Sequence, residues 1–139
     1  MKMLGVVMSA SIACGYAFNR TRRQYLATRL FVADTHWSRF RGLMGKPSSD
    51  FGQEQGLLIV PCHGVHTLWM RFPIDVVYLT RDNIVLHLEP ALPPWRWAPV
   101  RLAAASVLEL PENTVRLTGT TIGDQLEIDT RAPGVNAPA

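Results

Sequence analysis

The run at residues 61–80, PCHGVHTLWMRFPIDVVYLT, constrains the fold more than any other stretch of this chain. Residues 65–70 are mostly β-branched, aromatic or apolar and hold no breaker, which predicts a strand. Residues 71–74 carry Pro73 and predict a connection. Residues 75–80 predict a second strand, built on Val76, Val77, Tyr78 and Leu79. So short a connection between two such runs predicts an antiparallel hairpin. Side chains alternate between the faces of a strand, so His66, Leu68 and Met70 share one face. Cys62 joins that face only if the strand continues through Gly64, a residue that favours a bulge or bend.

The rest of the chain repeats the pattern of short strands and turns. Residues 25–33 predict a strand, with Leu26, Leu30 and Val32 on one face and Arg29 on the other. Asp34 or Thr35 can cap a helix in which Trp37, Phe40 and Met44 form a core-facing stripe, ended by Gly45 and Pro47. Residues 46–55 predict a polar loop and 56–60 a short buried strand. Asp82 and Asn83 suit a tight turn before a half-buried strand at 84–89. Four prolines between 90 and 99 predict an extended path over the surface rather than helix or central strand. Residues 104–110 predict a strand, 111–117 one or two helical turns closed by Gly119, and 122–128 a final strand. The fold class expected is all-β: a small antiparallel barrel or jelly-roll-like sandwich with one or two short helices.

A chain of 139 residues with 47% hydrophobic content forms one domain with a real core. Two cysteines are too few for a disulfide framework, and no C-x2-C spacing points to structural zinc. Residues 1–50 hold eight lysines and arginines against Asp34 and Asp50, whereas residues 51–139 hold six against nine acids. No nucleic-acid motif accompanies the basic third, so nucleic acid is not an expected partner. Residues 1–17 read as a hydrophobic extension (signal, anchor or misassigned start), 18–130 as the domain, and 131–139 as a flexible tail. Arg20, Arg22 and Arg23 directly after the apolar stretch oppose its export, so a cytoplasmic location is expected. Export, or membrane association through residues 1–18, is the alternative.

Four short elements in order resemble the signature of DUF192, a family of bacterial and archaeal proteins of unknown function. They are Arg41-Gly42-Leu43-Met44-Gly45, Cys62 with Val65-His66-Thr67, Met70 and Phe72-Pro73-Ile74-Asp75-Val76, then Val107-Leu108-Glu109-Leu110, and Gly123-Asp124-Gln125-Leu126. The resemblance covers about residues 18 to 129 and implies a compact β-barrel or sandwich with short helices. It implies no activity. Residues Pro111-Glu112-Asn113 depart from it, standing where the family usually has a glycine-containing turn.

No nucleophile elbow or phosphate loop is present, and no catalytic residue or cofactor is assigned. The chain reads as a non-enzymatic module that binds a small ligand or a protein partner. The alternatives are an enzyme of unknown type using His66, and a metal-handling protein using Cys62, His66 and Met70, a soft set that suits copper. Candidate binding residues are Arg41, His66, Thr67, Asp75 and Trp97. A neutral histidine beside an arginine and an indole suits a small anionic or aromatic group, provided that these residues border one concavity. Asp75 has a second reading, and the preferred one, as a cap on backbone N–H groups after Pro73. Trp95 and Trp97 have one too, with one ring plugging the barrel end and the other on the surface.

Overall fold

A computed structural model of the chain describes residues 11–33, 52–64 and 71–130. The expected helix after Asp34, the expected strand at 65–70 and the tail after 130 lie outside these residues. The elements are β1 (Ser11–Asn19), β2 (Gln24–Ala33), β3 (Gln55–Ile59), β4 (Ile74–Leu79), β5 (Val85–Leu92), β6 (Ser106–Pro111), α1 (Thr114–Thr118) and β7 (Leu126–Asp129). The seven strands form one sheet in the order β5-β4-β6-β3-β2-β1-β7, curled into a half-barrel. It is mostly β with one short helix among the described residues and curls as a barrel does, as expected, although β2 pairs with β3 in parallel.

The two ends of the sheet meet. Ile84 and Gln125 form an antiparallel bridge, and Val85 N–H donates to Asp124 O at 2.9 Å while Leu126 N–H donates to Asn83 O at 2.9 Å. These bonds satisfy edge groups that an open sheet would expose. β1 begins at Ser11, inside the stretch expected to be an extension, and pairs with β2 on one side and β7 on the other. At Gly15 the approach is so close that a Cβ would lie 1.7 Å from Asp129 O, so only glycine fits that crossing.

Every residue of β4 and β6 is buried, because these central strands are covered on both faces. The inner face carries Leu26, Leu30, Leu58, Val77, Leu79, Val85, Leu108, Leu110, Val115 and Leu126. The outer face carries Leu57, Ile59, Phe72, Ile74, Val76, Tyr78, Leu92 and Val107, with Ala98 and Ala104 packed onto it. Ala98 and Ala104 belong to residues 93–105, a strap across the outer face. Arg101 N–H donates to His63 O at 2.8 Å, and Ala105 N–H to Leu79 O at 2.8 Å.

Two expectations need correction. β4 pairs with β5 along one edge and with β6 along the other, from Ile74 to Leu79 on both sides. No edge remains for residues 65–70, so the hairpin expected between them and residues 75–80 does not exist. β5 also runs on through Pro90 to Leu92. It lies at the end of the strand order, where a proline that donates no ladder bond is tolerated.

Candidate functional site

Strand pairing brings four polar side chains onto the outer face. Leu57 pairs with Glu109, Glu109 with Val76, and Val76 with Glu89. One row away, Ile59 pairs with Val107, Val107 with Tyr78, and Tyr78 with His87. Cross-strand pairs point to the same side, so Glu109, Glu89, Tyr78 and His87 share the face that otherwise holds the apolar outer cluster. Glu109 is only 3% exposed.

The geometry within this group is tight. His87 Nε2–H donates to Glu89 Oε2 at 2.7 Å, and the His87 ring meets Tyr78 edge-on with centroids 5.1 Å apart. The Tyr78 hydroxyl donates to Pro99 O at 2.6 Å, tying the strap to β4. Burial, with Glu89 adding to it, pushes the Tyr78 hydroxyl up to about 12, and Arg101 works in the opposite direction. At 2.7 Å, His63 Nδ1–H donates to Ala104 O, so an exposed loop histidine nonetheless fixes the strap. The Cys62 thiol donates to Gly64 O at 2.9 Å and packs against the outer cluster. Gly64 lies so close to the strap that a Cβ there would sit 3.0 Å from Pro99 O.

Of the residues that sequence reasoning grouped together, Asp75 and Trp97 are described, and the structure separates them. Asp75 alternates with Val76 and points inward, 1% exposed. Its Oδ1 accepts from Ala91 N–H and its Oδ2 from Val115 N–H, each at 2.8 Å. Both acceptances have a local cause. Between Ile74 and Val76 the β4–β5 register shifts, and Ala91 is left at φ 52, off the ladder. Helix α1 starts after Asn113 at φ 77, which makes no side-chain cap bond, so Asp75 supplies the acceptor from β4. Asn113 also shows why the Pro111-Glu112-Asn113 departure is tolerated, since asparagine enters the left-handed region more readily than most residues.

Trp97, by contrast, lies on the strap over the outer face and is 71% exposed. The sheet therefore stands between Asp75 and Trp97, and the two do not border one concavity. Trp95 is exposed as well, so neither indole plugs a barrel end. Arg41, His66, Thr67 and Met70 lie outside the described residues. Sequence reasoning missed Tyr78, His87, Glu89 and Glu109 as a group. The signal was the parity of the acidic residues: Glu109 stands in an apolar strand, and His87 and Glu89 lie two apart.

A second polar cluster holds the ends of the sheet together. Asn19 Nδ2 donates to Thr120 Oγ1 at 3.1 Å and to Asp124 Oδ2 at 3.0 Å; Arg22 Nε donates to the same Oδ2 at 2.9 Å. Thr121 N–H adds a bond to that oxygen at 3.0 Å. Burial pushes the Asp124 carboxyl up, but these donors and the Arg22 charge outweigh it and hold the group at about 2. Each of these atoms meets a partner within the cluster, which marks it as a clasp rather than a binding surface. Among the described residues no group of three or more histidine, cysteine or acidic side chains has the geometry of a metal site. No helix among them is long and apolar enough to cross a membrane.

Comparison with known proteins agrees with the architecture. The chain is 29% identical over 114 residues to a UPF0127 protein of Thermococcus sibiricus, covering 78% of this chain and 71% of that one. It is 30% identical over 116 residues to a UPF0127 protein of Pyrococcus furiosus, covering 78% of this chain and 94% of that one. A crystal structure from Novosphingobium aromaticivorans, of a protein of unknown function, superposes with a TM-score of 0.67 at 19% identity, covering 81% of this chain and 82% of that one. One from Sinorhizobium meliloti, described as a candidate transcription regulator, gives 0.70 at 21% identity over 82% and 91%. At those identities the likeness is one of fold. The model of DUF192, described as uncharacterised ACR, matches residues 17–128, and the chain belongs to that family.

Proposed function

We propose that the protein is a non-enzymatic small-ligand-binding module whose binding site lies on the outer side of the sheet at β5, beside the strap, where His87 and Glu89 remain partly exposed. The observation that carries this reading is Glu109, a carboxylate buried on an otherwise apolar face and in the same row as Glu89. A ligand pocket is typically an apolar surface with a few polar groups held at fixed positions, and Glu109 gives this face such a group. The His87–Glu89 pair and the Tyr78 hydroxyl add polar groups on the same rigid strands, where a ligand is best positioned. Two carboxylates favour a ligand that presents hydrogen-bond donors or positive charge. Arg41, His66 and Thr67, from the family signature, and Trp97 on the strap remain proposed members of the site. Asp75 serves the fold instead.

The test is native mass spectrometry of protein taken directly from its own host, with the wild type beside Glu89→Gln. A bound small molecule, retained by the wild type and lost in Glu89→Gln at unchanged melting temperature, is the expected result. A wild type that carries nothing and shows no thermal shift against a library of small amines and polyols overturns the reading.

A further inference from the structure

We propose that residues 93–105 form a docking loop for an anionic membrane surface. Trp95, Trp97, Val100 and Leu102 follow one another on this one segment and are all exposed, Val100 to 67% and Leu102 to 81%. The other large exposed apolar residues among those described, Tyr25, Ile84, Leu117 and Ile122, are spread over the rest of the surface, as scattered surface residues ordinarily are. Between Glu89 and Glu109 the chain has no acidic residue, while Arg96 and Arg101 supply positive charge.

The hydrogen-bonding character of the segment selects the partner. From Ala91 to Ala105 the side chains are only alanine, leucine, proline, tryptophan, arginine and valine. Their polar groups are two indole N–H groups and two guanidiniums, which are donors and never acceptors. With no acidic side chain among them, these groups favour a partner surface rich in acceptors and negative charge. The headgroup zone of an anionic bilayer offers phosphate and carbonyl oxygens, which are acceptors throughout, above an apolar layer that takes Val100 and Leu102. Indoles settle at that boundary, and arginine pairs with phosphate through two parallel bonds. The strap is held to the body by the Tyr78, His63 and Arg101 bonds to backbone, so it presents this surface without having to be ordered first.

The test uses the full chain with vesicles of phosphatidylcholine alone and of phosphatidylcholine mixed with phosphatidylglycerol, read by co-sedimentation. Wild type is expected to bind the mixed vesicles and to dissociate as salt is raised. The double substitution Val100→Asp, Leu102→Asp should weaken binding by about tenfold or more, since two side chains leave the apolar layer. Arg101→Gln should weaken it about fivefold. Both variants change exposed side chains, and unaltered melting curves confirm that they fold. Failure of the wild type to bind overturns the proposal, as does equal binding to phosphatidylcholine alone. Undiminished binding by the strap variants also overturns it and transfers the contact to residues 1–18 or another surface. So does a self-association of the wild type that Leu102→Asp abolishes while vesicle binding is unchanged.

Discussion

Asp75 and Glu109 are carboxylates on neighbouring central strands, buried to nearly the same degree, yet they face opposite sides of the sheet. Asp75 points inward and is consumed by two backbone amides, one at a bulge and one at a helix start. Glu109 points outward, in a row with Glu89 and beside a histidine and a tyrosine. The difference teaches that burial of a charge does not distinguish scaffold from site. The identity of the neighbours does. An acid that ends backbone irregularities is part of how the chain folds; an acid in a row with Glu89 and beside His87 and Tyr78 is the one to which the proposed function gives a binding role.

Substitutions can break this contrast, and the largest effect should fall on Asp75. Asp75→Ala orphans the amides of Ala91 and Val115 and should cost about 3–4 kcal/mol in denaturant unfolding. Asp75→Asn, which keeps a single acceptor oxygen, should lose roughly half as much. A cost near that of a surface substitution would mean that Asp75 does not organise the bulge and the helix.

Asp124 comes next, because it tests whether the clasp behaves as scaffold too. Its carboxyl is held at about 2, below its ordinary 3.8, so the folded state favours the ionised form. That stabilisation is fully present above about pH 4 and is lost as the pH falls through 2. It amounts to about 1–2 kcal/mol, a figure reduced for solvent screening at the Arg22 side. Asp124→Asn should be less stable than wild type by about 2 kcal/mol at pH 7, and the gap should narrow toward pH 2. A gap that stays constant with pH would show that the charge of Asp124 contributes nothing.

Tyr78→Phe should cost about 1 kcal/mol through the lost bond to Pro99. Because the Tyr78 hydroxyl is pushed up to about 12, the wild type should lose stability as pH rises from 10 toward 12. Tyr78→Phe should lack that part of the loss, and urea midpoints at pH 9 and 11 compare the two. The smallest expected effect is at Glu89, where Glu89→Gln should change stability by under about 1 kcal/mol, since the pair with His87 is partly exposed. A loss as large as that of Asp75→Ala would return Glu89 to the scaffold and erase the contrast.

Much of the strand framework is readable because β-propensity, turn residues and alternation agree: the strands expected at 56–60, 75–80, 104–110 and 122–128 are found at Gln55–Ile59, Ile74–Leu79, Ser106–Pro111 and Leu126–Asp129. The short helix closed by Gly119 was legible for the same reason: Gly119 takes φ 70 at its end. The failures have physical causes. Residues 65–70 look like a hairpin partner of β4 because local patterns carry no information about which edges are already taken by distant strands. The strand expected at 84–89 runs on through Pro90 to Leu92, because β5 lies at the end of the sheet order rather than at its centre and has no ladder bond to lose there. The capping reading of Asp75 holds, but the amides it caps, those of Ala91 and Val115, lie far along the chain rather than just after Pro73, and only the tertiary fold brings them to it. Glu109 was overlooked inside an apolar run, although its alternation with Leu108 and Leu110 already set it on the opposite face from them.

The pairing of β1 with β7 joins residues 16–19 to residues 126–129. During synthesis the first strand leaves the ribosome long before its partner has been made. One edge of β1 stays open for that whole interval, and the clasp of Asn19 and Arg22 on Asp124 cannot form until the end of the chain emerges. Contacts so distant in sequence are slow to close. A chain made only as far as residue 125 therefore leaves that edge of β1 unpaired, so β7 governs whether β1 is protected.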